Sequence, residues 1–198
     1  MTKVAIIGVG LMGGSLALCF KGKPGIRVAG FDINPLELEK ALKRGVIDDA
    51  CASLEDAAQD ADFVFLCVPV GYLRHYVDRL LQLPLKTGCI VSDVGSTKAS
   101  IAEYAAAHVK PGVHFIGGHP MAGSERSGVE VAASHLYENA FYVLTPDDST
   151  PQEAYDKLVE LLRYTKAQIV RVDAKHHDEI VGAISHLPHV IAVALVNQ

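Results

Sequence analysis

An apolar run over residues 4–7 ends directly in Gly8-Val9-Gly10-Leu11-Met12-Gly13, and the residues that follow carry a helical pattern. Few junctions constrain a fold as tightly. The first glycine permits a sharp turn, the second lets the backbone be approached closely, and the third lets the helix sit close against the strand it follows. The same unit, a short apolar run and then a helix, repeats along the chain. Strands are expected at residues 3–7, 27–31, 63–68, 89–92, 113–116, 140–145 and 168–171, and helices at 12–21, 35–44, 71–82, 97–108 and 151–164. Runs of this length separated by helices describe a doubly wound α/β fold with a mostly parallel sheet covered on both faces. Start signals at Pro35, Ser96-Thr97 and Thr150-Pro151 support the helix assignments.

The glycine turn also carries chemistry. A helix that opens beside backbone N–H groups favours phosphate, so Gly8, Gly10, Leu11, Met12 and Gly13 form a candidate pyrophosphate site. Asp32 stands 19 residues after Gly13 at the end of the second apolar run. A carboxylate there accepts hydrogen bonds from ribose hydroxyls and repels a 2′-phosphate, and only Ile33-Asn34-Pro35 follow it, with no cation. NAD is therefore favoured over NADP. Val68 and Pro69, ending the run at 63–68, are placed at the carboxyl edge of the sheet beside the adenine-side ribose.

Composition removes several other classes. The chain has 198 residues, 49% of them apolar and 21% charged, with a formal charge of −5 and no long basic run. Nucleic acid and anionic membrane are thus unsuited as partners. No apolar stretch is long enough to span a bilayer. Cys19, Cys51, Cys67 and Cys89 lack CxxC spacing, which suits a reduced, cytoplasmic compartment.

Two later segments read as the reacting end of a site. In Asp93-Val94-Gly95-Ser96-Thr97-Lys98, Ser96 is a good helix N-cap and also lies at the carboxyl edge, where its hydroxyl can face a ligand. In Gly117-Gly118-His119-Pro120, an imidazole is placed in the loop three residues beyond the run at 113–116, flanked by glycines and a proline. His119 is the candidate general base, with Glu125 and Arg126 in the same loop able to tune it or contact substrate. His75, His108 and His114 have no such setting.

Asp173 can cap a last helix, apolar on most sides, on which spacings of four, three and four place Asp178, Gly182, Ser185 and His189 on one face, with a kink expected at Pro188. His176, His177, His186 and His189 invite a metal reading, but His186 and His189 form a three-residue step without a nearby carboxylate or thiolate at ligand spacing, so no metal site is assigned. The expected division is residues 1–172 as a dinucleotide-binding domain and 173–198 as the first helix of a helical domain that is cut short or completed by another chain.

Taken together, the glycine turn continuing into Gly14-Ser15-Leu16-Ala17, Asp93-Val94-Gly95-Ser96-Thr97-Lys98, the run from Gly117 to Gly128, Leu136-Tyr137-Glu138-Asn139-Ala140 and Ser185-His186-Leu187-Pro188-His189 resemble the prephenate dehydrogenases over essentially the whole chain. The resemblance implies a Rossmann-type domain, NAD-dependent oxidative decarboxylation of prephenate to 4-hydroxyphenylpyruvate in tyrosine biosynthesis, and a homodimer formed through the helical region. It implies catalytic roles for His119 and Ser96 and contacts from Ser185 and His189 to substrate or the nicotinamide side. Members of the family continue into a helical domain that supplies an arginine for a substrate carboxylate, which this chain does not reach. The competing expectations are an arogenate or other NAD-dependent dehydrogenase with a helical tail, and a non-catalytic NAD-binding module. A β-hydroxy-acid dehydrogenase is expected to carry a lysine base on its long helix, where this chain has Ser185 and His189.

Overall fold

The structure, a computed structural model, describes residues 1–186 together with Pro188 and Val193. Its described strands are β1 (Thr2–Ile7), β2 (Ile26–Phe31), β3 (Asp49–Ala50), β4 (Phe63–Leu66), β5 (Ile90–Asp93), β6 (His114–Pro120), β7 (Phe141–Thr145) and β8 (Gln168–Arg171). The described helices are α1 (Leu11–Phe20), α2 (Pro35–Lys43), α3 (Leu54–Ala58), α4 (Leu73–Gln82), α5 (Ala99–His108), α6 (Gln152–Leu162) and α7 (Ala174–Val181). One sheet runs in the order β3-β2-β1-β4-β5-β6-β7-β8. Its first six strands are parallel and follow the 3-2-1-4-5-6 order of doubly wound dinucleotide folds. β7 pairs antiparallel to β6, and β8 runs parallel to β7, so the last two strands oppose the rest.

Alternation along the strands builds two cores. Val4 and Ile6 of β1 join Leu16, Phe20, Leu158 and Leu162 on one face, while Ala5 and Ile7 join Leu54, Leu73, Leu80 and Ile101 on the other. Neither face of β1 meets water, which is why its sequence reads as an unbroken apolar run. Burial of their side chains pushes the Cys19 and Cys89 thiols up to about 12, so these cysteines stay protonated and act as small apolar residues.

Three expectations are corrected. β3 and α3 escaped the sequence reading because two and five residues are too short to show a period; a Ser53 side chain accepting from the Asp56 N–H at 3.0 Å starts α3. The strand expected at 113–116 continues to Pro120, because Gly117 to Pro120 pair with Thr145 to Tyr142. His119 therefore sits on the strand opposite Val143, not in a loop. The helix expected from residue 97 begins at Ala99, and Ser96 does not cap it.

The last helix changes character before its proline. α7 passes into a π-helical turn, Gly182–His186. Pro188 has no N–H to give the carbonyl of Ile184, so regular α-helical bonding is lost in this turn. A face count at 3.6 residues per turn does not carry through such a turn. His189 lies outside the described residues.

Candidate active site

The C-terminal ends of β1, β4, β5 and β6 meet on one edge of the sheet, where the strand order reverses between β1 and β4. Open α/β sheets bind ligands at this edge. Gly8 holds φ at 93°, and a Cβ on it would lie 2.5 Å from the carbonyl oxygen of Cys67. A Cβ on Gly13 would lie 1.9 Å from the Gly8 carbonyl oxygen, so α1 approaches the turn as closely as a bare backbone allows. Gly10 faces open space instead. α1 starts behind it with no side-chain cap, leaving the dipole end and first-turn amides directed at that space. The loop over residues 129–137 braces the other side, through Tyr137 Oη donating to the Met12 carbonyl at 2.6 Å and the Ala133 N–H donating to Ser15 Oγ at 3.0 Å.

Asp32 follows β2. One carboxylate oxygen accepts from the Val9 N–H and the other from the Asn34 N–H, both at 2.8 Å, so the side chain ties its loop to the glycine turn. Each oxygen keeps acceptor capacity for a further donor. Val68 lies half-buried against Gly8, and Pro69 is exposed beside it. An open backbone approach, an uncapped helix start and an anchored carboxylate are together what a dinucleotide requires, and these residues fit one. Gly13→Ala is expected to cost about 1–3 kcal/mol of stability by forcing the turn off the helix. Calorimetric unfolding of the two proteins reads that loss directly.

The Asp93 and Lys98 pair positions the other half of the site. Both side chains are fully buried. Lys98 Nζ donates to Asp93 and, at 2.8 Å, to the Gly118 carbonyl, while Asp93 accepts from the Gly118 N–H at 3.2 Å and the Gly95 N–H at 2.9 Å. The pair thus grips both polar groups of the residue before His119. A Cβ on Gly118 would lie 2.7 Å from the Asp93 carbonyl oxygen, so only glycine allows this approach. Burial pushes the Lys98 ammonium below its ordinary value, with Asp93 opposing that shift.

His119 is half-buried on β6, and its Nδ1 lies 2.9 Å from Nε2 of His177, the two rings meeting edge to face at 78°. His177, 2% exposed on α7, has its Nδ1 2.8 Å from Asp178 Oδ1. Asp178 in turn accepts from the Lys98 N–H at 2.7 Å and the Ala99 N–H at 2.9 Å. This carboxylate, 80 residues away in sequence, caps α5 in place of Ser96. Burial raises its pKa, but the Ala99 and Lys98 amides and the His177 imidazole outweigh that and hold it below the usual carboxylate range.

Ser96 is exposed in the loop between β5 and α5, at the same edge as His119, and Ser185 is half-buried in the π-helical turn. Glu125 and Arg126 are exposed in the turn after β6, which closes through the Arg126 N–H on Ser124 Oγ at 3.2 Å. Among the described residues, no group of three His, Cys, Asp or Glu side chains could hold a metal ion, and no helix is long and apolar enough to cross a membrane. The sequence reading passed over His177 as one of a histidine cluster and took Lys98 only as part of a motif. The signal for His177 was its four-residue step to Val181, which puts both on the buried face of α7.

Strand order, glycine turn and anchored acidic residue define a nucleotide-binding protein of the doubly wound α/β class. Residues 16–171 match the family profile "Prephenate dehydrogenase, nucleotide-binding domain", and residues 173–198 match "Prephenate dehydrogenase, dimerization domain". The chain belongs to the prephenate dehydrogenase family. It is 40% identical over 196 residues to a prephenate dehydrogenase of Bacillus subtilis, covering 98% of this chain and 53% of that protein. A prephenate dehydrogenase of Lactococcus lactis is 42% identical over 200 residues, with 100% and 54% covered. The chain thus spans about half the length of these curated relatives. A crystal structure of the Aquifex aeolicus prephenate dehydrogenase in complex with hydroxyphenyl propionate and NAD+ superposes with a TM-score of 0.90 at 35% identity, over 100% of this chain and 68% of that one.

Proposed function

We propose that this chain carries the NAD-binding half and the proton-accepting group of a prephenate dehydrogenase, which converts prephenate and NAD into 4-hydroxyphenylpyruvate, CO₂ and NADH. The observation that carries the reading is His119 fixed at the carboxyl edge of the sheet, on the strand next to the Ser96 loop, within a chain of this family. Bound NAD supplies a hydride acceptor. His119 takes the proton of the ring hydroxyl as the C–H hydride leaves the same carbon and a carbonyl forms. The bond to the ring carboxylate then breaks, its electron pair aromatises the ring, and CO₂ departs. The resulting phenolate takes up one proton, which balances the one His119 accepted.

Ser96 supports the hydrogen bond to the reacting hydroxyl, and Glu125, Ser185 and His189 contact substrate. Gly8, Gly10, Leu11, Met12 and Gly13 receive the pyrophosphate, Asp32 the adenosine ribose, and Val68 and Pro69 line the groove beside it. We place the boundary between the dinucleotide-binding domain and the helical region at 172/173. The match of residues 173–198 to a dimerization domain supports a homodimer, and cysteines that are all free support a cytoplasmic setting.

The test is NADH formation by the intact enzyme with prephenate and, separately, with arogenate. Turnover of prephenate is expected. Turnover of arogenate alone would replace the substrate, and dinucleotide binding without turnover of either would leave a binding module. Asp32→Ala is expected to narrow the preference for NAD over NADP, read as the ratio of the two dissociation constants, because the ribose acceptor and the repulsion of a 2′-phosphate go together. An unchanged ratio would remove Asp32 from the ribose.

A further inference from the structure

We propose that His177 is a positioning residue for the base: held by Asp178, it fixes His119 in the tautomer that carries its hydrogen on Nδ1 and keeps Nε2 as the basic nitrogen. This rests on the reading of His119 as the base, and adds what prepares it.

The assignment follows from donor and acceptor capacity. An ionised carboxylate only accepts, so the 2.8 Å contact from Asp178 Oδ1 to His177 Nδ1 requires the hydrogen on Nδ1 of His177. A neutral imidazole has one donor and one acceptor, which makes Nε2 of His177 the acceptor. That nitrogen lies 2.9 Å from Nδ1 of His119. Two lone pairs cannot face each other at this distance, so His119 donates from Nδ1 and its basicity resides at Nε2.

Charge is arranged to keep this order. The Lys98 and Ala99 amides that meet Asp178 are the start of α5, where a helix favours negative charge. The same two bonds dock α7 against α5, and with His177 almost fully buried the imidazole has a fixed bearing on β6. On the far side, Lys98 and Asp93 grip the backbone of Gly118 and so fix where the His119 side chain leaves the strand. When His119 gains a proton at Nε2, its Nδ1–H becomes a charged donor to His177, and a charge-assisted bond is stronger than a neutral one. The arrangement orients a histidine base as the buried aspartate does in Ser-His-Asp sites, with a second imidazole interposed.

The experiment compares His177→Leu and His177→Gln with the parent and with His119→Asn in the intact enzyme. His177→Leu is expected to lower kcat by about 10²-fold or more, with KM for prephenate and NAD affinity changed by less than about threefold. Gln can place an amide oxygen near the position of Nε2 and is expected to recover at least about tenfold of that loss. A purely structural role would move stability and KM and would not be rescued by Gln. Loss of turnover in His119→Asn with kcat unchanged in a folded His177→Leu would overturn the positioning role and leave the base in place. Full turnover in His119→Asn would remove the base reading and this proposal with it. Should His177→Leu fail to fold, the ¹⁵N ring shifts of His119 in the parent enzyme decide. A protonated Nδ1 is expected, and a neutral ring protonated at Nε2 would overturn the proposal.

Discussion

Replacing His119 with asparagine is expected to lower kcat for prephenate by about 10²–10⁴-fold, with NAD affinity changed by less than about twofold. Asparagine keeps a polar side chain of similar reach on β6 but offers no nitrogen that can take a proton. The dinucleotide groups lie at the ends of β1, β2 and β4, and β5 stands between the nearest of them and β6, so they are not disturbed. Steady-state NADH formation paired with calorimetric NAD titration separates the two effects. A parallel loss of NAD affinity and turnover would mean that the strand, rather than a proton transfer, had been damaged.

The second large effect is on stability. Lys98→Met leaves the Asp93 carboxylate fully buried without its cation, and breaking a buried pair in this way costs about 3–5 kcal/mol. For a chain of this size that lowers the melting temperature by on the order of 10 °C. The Gly118 carbonyl loses its donor as well. Asp93→Asn combined with Lys98→Met removes both charges together and is expected to recover part of the loss, because an uncompensated charge is the main penalty. A double variant no more stable than Lys98→Met would show that the charge is not what the site compensates.

The parts of the fold that were legible were those written in local pattern. The strand at 168–171 was read to the residue, and α1, α2 and α4 to within two, because apolar runs and periodic faces are set by burial on the two sides of the sheet. The C-terminal half of β6 was not legible. Gly117 and Gly118 have poor strand propensity, and what holds them extended is β7 on one side and the Asp93 and Lys98 pair on the other. The same limit hid the start of α5. Ser96 has the right chemistry for a cap, but its place is taken by Asp178, whose approach depends on the tertiary docking of α7.

The candidate site divides along the same line. The glycine turn and Asp32 were legible because a single strand-turn-helix unit contains their geometry. His119 was legible as chemistry but was assigned the wrong element. His177 could not be found by its spacing to His119, since a contact across 58 residues leaves no local period; only its place on the buried face of α7 marked it out. Lys98 carried the opposite difficulty, since a lysine near a helix start is ordinarily exposed.

The pH dependence of kcat/KM for prephenate tests the central claim most directly, because a base acts only when unprotonated. The parent enzyme is expected to lose about tenfold in kcat/KM per pH unit along an acid limb governed by one ionisation, while the residual activity of His119→Asn shows no such limb over the same range. An acid limb that persists unchanged in His119→Asn would contradict the assignment of the proton to His119.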